Sequence, residues 1–164
     1  MFRVGVHWWD QRAAPRLAIL SAEEAEIVAA IGDTLFPGEG RGGMPSASEV
    51  GIVGFFDDYL TTIDEIPANL LRALLHAIDD IAVLAGGAGA RFRFRPRTER
   101  EAILRAWDDS PFAPRRRAFF GLKILLAMGY TESPAVIAAA GWDYGCTSLH
   151  EPAPKVDALA HGTT

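Results

Sequence analysis

The sequence is poor in cysteine, with Cys146 alone among 164 residues. A single thiol excludes an internal disulfide and any zinc or iron–sulfur site built from several cysteines. Nothing near Cys146 lowers the pKa of its thiol, so we interpret it as inert rather than as a nucleophile. A chain of about 150 residues buries roughly 70% of its unfolded surface and needs no cross-link. With 49% apolar and 23% charged residues, the composition is that of one globular domain.

Long apolar runs are also missing. No stretch of about 18 apolar residues without a charge occurs, so we predict no transmembrane helix. Residues 1–20 contain Arg12 and Arg16 and no continuous apolar core, which differs from an export leader. We therefore expect a cytoplasmic protein. The same segment carries Val4, Val6, Trp8 and Trp9, which predict an extended apolar strip.

Lysine is scarce: there are 2 lysines against 14 arginines, and the arginines are unevenly placed. Nine of them lie between Arg91 and Arg117 together with four acidic residues, so this segment carries +5 while the rest carries −10. Guanidinium groups pair with carboxylates bidentately and stack on aromatic rings, which favours interfaces and anion recognition.

Arginine alternates with apolar residues in Arg91–Arg97, the sequence RFRFRPR. If the segment is extended, Phe92 and Phe94 point one way and the arginines the other. Rings interleaved with arginines are typical of a surface for single-stranded nucleic acid. The other interpretation is a loop anchored by its phenylalanines, with the arginines meeting acidic residues elsewhere. The acidic remainder of the chain favours this second interpretation, and we expect no nucleic-acid partner.

Catalytic motifs are lacking too. The four histidines include no pair at i, i+4, and neither a nucleophile elbow nor a glycine-rich dinucleotide fingerprint occurs. The adjacent carboxylates Asp57-Asp58, Asp79-Asp80 and Asp108-Asp109 cannot face one another on a helix, so we expect them on solvated faces. We interpret His76 as an ordinary helix-face histidine. The sequence predicts no catalytic, metal or cofactor site in this chain.

Apolar residues at helical spacing predict an all-α fold of five or six helices. The predicted helices start at a capping box on Ser21, at Ser46 or Ser48, at Pro67, at a second capping box on Thr98, at Pro114 and at Ser133. We expect the fifth helix, Pro114 to Met128, to be the most buried, with Gly129 at its C-terminal cap. The predicted division is an extended segment 1–19, a helical domain 20–145 and a mobile tail 146–164.

The order of features from residue 98 onward is distinctive. The features are Trp107, Asp109-Ser110-Pro111, Arg116-Arg117, Phe119-Phe120-Gly121-Leu122-Lys123, Gly129-Tyr130, Ser133-Pro134 and Gly141-Trp142. Upstream, Leu20–Glu24, Leu35-Phe36-Pro37-Gly38 and Gly51–Phe56 fit the same pattern. Over about residues 20–145 the chain resembles the gluconate 2-dehydrogenase subunit 3 family, the small subunits of flavin dehydrogenases.

This resemblance implies a helical accessory subunit rather than a catalyst. The partner it implies is a large flavoprotein of the glucose-methanol-choline type, which holds FAD and oxidises an alcohol or sugar, and a cytochrome c subunit often follows. The small subunit then supports the folding, stability or export of the large one. Family members commonly carry a twin-arginine leader, whereas residues 1–20 contain neither an adjacent arginine pair nor an apolar core region.

The residues independently suggest where a partner binds, since arginine and large aromatics are enriched at interface hot spots. The candidates are Trp8, Trp9, Arg91, Arg93, Arg95, Arg115, Arg116, Trp142 and Tyr144. For Trp107 we expect core packing. For Arg116, Arg117 and Lys123 internal pairing with Asp108-Asp109 or with other helix-end carboxylates is an equal alternative. A free-standing module that binds an anionic ligand or nucleic acid through Arg91–Arg117 is the competing function.

Overall fold

The all-α prediction is confirmed by a computed structural model, which describes residues 12–38, 43–84 and 90–142. Within these ranges the chain forms six α-helices and no strand. The helices are α1 (Ala22–Leu35), α2 (Ile52–Thr62), α3 (Glu65–Leu84), α4 (Arg97–Asp108), α5 (Ala113–Thr131) and α6 (Pro134–Ala140), with a 3-10 turn at Phe92–Phe94. The predicted apolar strip at residues 4–9 and the predicted mobile tail lie outside the described residues.

Helix α1 lies at the centre of the fold and packs against α2, α3 and α4. It begins as predicted, because Ser21 and Glu24 form the reciprocal capping box. Ile27, Val28 and Ile31 are fully buried, which confirms the predicted inward face. Gly32 lets the start of α2 approach closely, since a Cβ there would lie 3.2 Å from Cγ2 of Ile52.

Helix α2 begins later than the sequence suggests. Ser46 and Glu49 exchange the hydrogen bonds of a capping box, but they close only a short turn. That turn ends at Gly51, whose φ of 76° lies in the left-handed region that favours glycine. The helix starts at Ile52, so the capping signal at Ser46 was real while the predicted start of the helix was wrong.

Asp57 was expected on a solvated face, and this prediction was wrong. Its carboxylate is buried and accepts backbone N–H groups from Ala18 at 2.6 Å, Ile19 at 3.0 Å and Leu20 at 2.8 Å. These three donors precede α1 and have no helical partners, so Asp57 satisfies them and holds the segment against α2. Part of the predicted N-terminal segment 1–19 is therefore anchored to the helical domain.

The second predicted capping box is wrong. Thr98 lies inside α4, whose N-cap is Pro96 without a side-chain hydrogen bond. The two acids of the pattern pair with arginines one turn earlier instead, Glu99 with Arg95 and Glu101 with Arg97, both at 2.9 Å. Because both carboxylates form i, i+4 ion pairs with arginines, neither accepts a backbone N–H at the start of α4 as a capping box requires.

Gly129 does not cap α5 as predicted; it lies within the helix. A Cβ at this position would lie 2.2 Å from Cδ1 of Phe55, so only glycine lets α5 approach α2 this closely. Next to it, Tyr130 stacks on Phe36 with ring centroids 4.3 Å apart and donates a hydrogen bond to the carbonyl of Pro45 at 2.7 Å. Burial raises the pKa of Tyr130, which keeps the phenol protonated for this bond.

Helix α5 is also less buried than predicted. Phe119, Leu122 and Leu126 enter the core, but Phe120, Ile124 and Met128 are exposed. The helix is apolar on nearly all sides, yet the described residues cover only one side of it.

We predict that Asp57→Ala lowers the free energy of unfolding by about 3 kcal/mol, because it leaves three anchored backbone donors without their acceptor. For a chain of this size the melting temperature should fall by about 6–12 °C, measured by circular dichroism. The matched control is Asp58→Ala at the exposed neighbouring position, expected within about 0.5 kcal/mol of wild type. Equal losses for both variants would contradict the anchoring role.

Candidate interaction surface

The arginine-rich segment is held by carboxylates of its own chain. Arg93 lies 2.9 Å from Glu23, 3.3 Å from Glu26 and 2.5 Å from Asp79, and its backbone N–H also binds Asp79. Arg91 pairs with Glu23 and lies 3.5 Å from Asp80. Burial raises the pKa of Asp79, and the neighbouring Arg93 and Arg91 offset only part of this effect. The charge on which the anion-binding alternative depends is therefore largely engaged within the fold.

The predicted alternation of Phe92 and Phe94 on one side is wrong. The segment turns as a 3-10 helix, in which neighbouring side chains do not alternate between two faces. Phe92 is fully buried while Phe94 is 65% exposed. The interpretation as an anchored loop is thus confirmed for Phe92 and for the arginines that meet acidic residues.

Glu24 is the most strongly perturbed acid among the described residues. Its fully buried carboxylate pairs with Arg72 at 2.8 Å and lies 3.4 Å from Nε2 of His76. Burial alone would raise its pKa, but the hydrogen bonds from His76, Arg72 and the backbone of Ser21 together lower the pKa to about 2. A carboxylate that stays ionised at neutral pH cannot serve there as a general acid, and here it joins α1 to α3.

A second set of contacts forms the corner between α4 and α5. Lys123 pairs with Asp108 at 2.5 Å, Arg116 donates to the carbonyl of Ser110 at 2.7 Å, and Arg115 lies 4.3 Å above the ring of Trp107. Trp107 is buried, as expected. For Lys123 the predicted pairing with an acid of Asp108-Asp109 is confirmed.

An open apolar groove of about 690 Å³ runs between α3 and α5. Its α3 wall includes Leu70, Leu71 and Leu74, and its α5 wall consists of Ala118, Gly121 and Leu125. Tyr59 supplies the only side-chain hydroxyl of the lining. Leu70 is 67% exposed, and Ile66, one turn earlier on α3, is 76% exposed.

The exposed face of α5 continues this groove. Ile124 follows Gly121 by three residues and Met128 follows Leu125 by three, so the exposed residues are helix-surface neighbours of the α5 wall. Phe120 lies one turn before Ile124 and is 56% exposed. We call the groove and this face together the α3–α5 surface. Contiguous apolar surface of this kind marks sites of protein interaction.

Arg117 lies at the N-terminal end of this face, one turn before Phe120 and Gly121. Among the described residues, no carboxylate lies within ion-pair distance of it. Arg117 and Phe120 are among the exposed residues of those that carry the family resemblance. The alternative of internal pairing with a helix-end carboxylate is therefore not observed for Arg117 among the described residues.

The structure brings together few of the predicted partner-binding residues. Trp8, Trp9 and Tyr144 lie outside the described ranges, and Trp142 is half exposed beyond α6. Arg91, Arg93, Arg95, Arg115 and Arg116 all make contacts within the chain, and their role towards a partner stays a prediction. Leu70, Ile124 and Met128 were missed because helical spacing alone does not say which apolar side of a helix has a neighbour.

Two further classes of site were sought within the described ranges. No group of three His, Cys, Asp or Glu side chains is placed as metal ligands would be. In the same part of the chain, none of the helices combines the length and the hydrophobicity that a membrane span requires.

The fold and surface thus define a small all-α protein with a prominent exposed apolar surface. The family model of gluconate 2-dehydrogenase subunit 3 matches residues 22–146, and the chain belongs to this family. The membership indicates an accessory subunit of a dehydrogenase assembly. Comparison with curated proteins and with solved structures finds no match.

We predict that Glu24→Gln lowers the free energy of unfolding at neutral pH by about 3 kcal/mol, because it leaves the buried Arg72 without its counter-charge. The folded-state pKa lies below the ordinary value. Ionised Glu24 therefore stabilises the fold above about pH 4.5, and this contribution is lost as the pH falls through about 2.

Thermal denaturation across this pH range should show wild type and Glu24→Gln converging at the acidic end. Glu132→Gln, at an exposed position beyond the end of α5, serves as the control. A difference between wild type and Glu24→Gln that does not change with pH would contradict this account.

Proposed function

We propose that this chain is the non-catalytic small subunit of an FAD-dependent oxidoreductase and that it binds the catalytic flavoprotein through the α3–α5 surface. The single observation that carries the proposal is this contiguous exposed apolar surface on a chain of the subunit 3 family. Covering it with a partner removes apolar area from water, which stabilises the assembly.

The internal contacts of the chain support a binding role. Arg93 and the buried Glu24 are engaged in ion pairs that hold α1, α3 and the start of the 91–97 segment together. They provide a rigid frame, and a preformed surface loses less conformational entropy on association than a flexible one.

The partner is a flavoprotein of the glucose-methanol-choline type. In the proposed complex FAD and the alcohol or sugar substrate are held by that large subunit, and this chain binds no cofactor. The small subunit stabilises the large one and supports its folding. The complex is cytoplasmic, which cell fractionation tests, and a haem stain of the purified complex tests whether a cytochrome c subunit accompanies it.

We predict that the chain expressed alone shows no flavin absorbance and no dye-linked dehydrogenase activity. Co-expression with a candidate flavoprotein from the neighbouring reading frames should raise the yield of soluble, FAD-loaded enzyme. Co-purification and flavin absorbance are the measurements.

The control is co-expression of the same flavoprotein with an unrelated small helical protein, which should leave the yield of soluble enzyme unchanged. Turnover of an alcohol by the purified single chain would overturn the proposal. Failure of the two chains to associate would do the same.

A further inference from the structure

We infer that the element seated on the α3–α5 surface is an amphipathic helix of the catalytic subunit, with an apolar face and an acidic residue at the end that meets Arg117. This inference rests on the proposed function and adds the kind of segment that binds. Three observations carry it: the chemistry of the groove lining, the distribution of exposed apolar residues and the position of Arg117.

The chemistry of the groove lining favours a helix over an extended segment as the occupant. Both walls are helices whose backbone groups are already paired, and the only hydroxyl of the lining belongs to Tyr59. A strand laid into the groove would bury N–H and C=O groups without acceptors or donors, which is costly. A helix satisfies these groups internally and places only side chains against the walls, as in known helix-in-groove complexes.

The exposed residues indicate the size of the occupant's apolar face. Leu70 lines the groove on α3, and Ile124 and Met128 on α5 each follow a lining residue by three positions, while Phe120 extends the exposed face of α5 by one turn. On α5 the residues from Phe120 to Met128 span about 12 Å at the helical rise of 1.5 Å per residue. An occupant of two to three turns covers this length, with apolar residues at i, i+3, i+4 and i+7.

Arg117 supplies the charge complementarity. It lies on the same face of α5 as Ile124 and has no carboxylate partner among the described residues. Its neighbours on this face, Phe120 and Gly121, are apolar, so a partner that covers them also removes water from the guanidinium group. An uncompensated charge at such a position weakens binding, whereas a carboxylate on the occupant forms a charge-assisted hydrogen bond with it.

The closing experiment uses the full chain with the flavoprotein subunit. Leu70→Asp should raise the Kd of the complex about 30-fold or more. The control is Phe94→Asp, because Phe94 is as exposed as Leu70 but lies outside the α3–α5 surface, and it should leave the Kd within about threefold of wild type. Arg117→Glu should lower the association rate constant about tenfold and flatten its dependence on salt. Arg105→Glu, at an exposed arginine on α4, is the matched charge control.

A photoreactive benzoylphenylalanine in place of Ile124 then identifies the occupant by mass spectrometry of the cross-linked peptide. The expected peptide comes from a helix of the flavoprotein with Asp or Glu at one end. Cross-links to a second copy of this chain, to its own residues or to a non-helical segment overturn this inference, while the proposed function stands as long as the wild-type complex forms. Equal effects of Arg117→Glu and Arg105→Glu likewise overturn the inference alone. If no wild-type complex forms at all, both proposals are overturned.

Discussion

Three carboxylates at the start of α1 determine where the neighbouring elements lie. Glu24 binds Arg72 and lies beside His76 of α3, while Glu23 and Glu26 bind Arg93, which follows α3 in the chain. The same turn of α1 therefore fixes one side of α3 and the segment that leads into α4. With α3 held against α1 in this way, its Leu70 and Leu74 stand beside α5 and form the groove.

Positive and negative charges that are separated along the sequence lie close together in the fold. The segment with an excess of arginine lies against carboxylates of α1 and α3, so the +5 and −10 portions neutralise each other at their contact. Such pairing brings little net stability at exposed positions. At the buried positions it carries more weight, because removing one member would leave the other unpaired. Guanidinium groups suit this role, since each one reaches several carboxylates at once.

Local signals in the sequence predicted the helices better than they predicted the environments of their residues. The capping box at Ser21 and the breaks at Phe36-Pro37-Gly38 and Ser110-Pro111 act within a few residues and were identified correctly. The burial of Asp57 depends on three backbone donors nearly forty positions earlier, and the placement of Gly129 depends on Phe55 of another helix. The same limit applies to the α3–α5 surface, because apolar residues at helical spacing look alike whether a neighbour covers them or not.

The groove between α3 and α5 has a consequence for the supply of the subunit in the cell. A chain that displays Leu70, Ile124 and Met128 to water presents a surface that chaperones and proteases recognise as incomplete burial. Under the proposed function, copies made in excess of the partner are expected to aggregate or be degraded, so the steady-state amount of this chain should follow that of its partner.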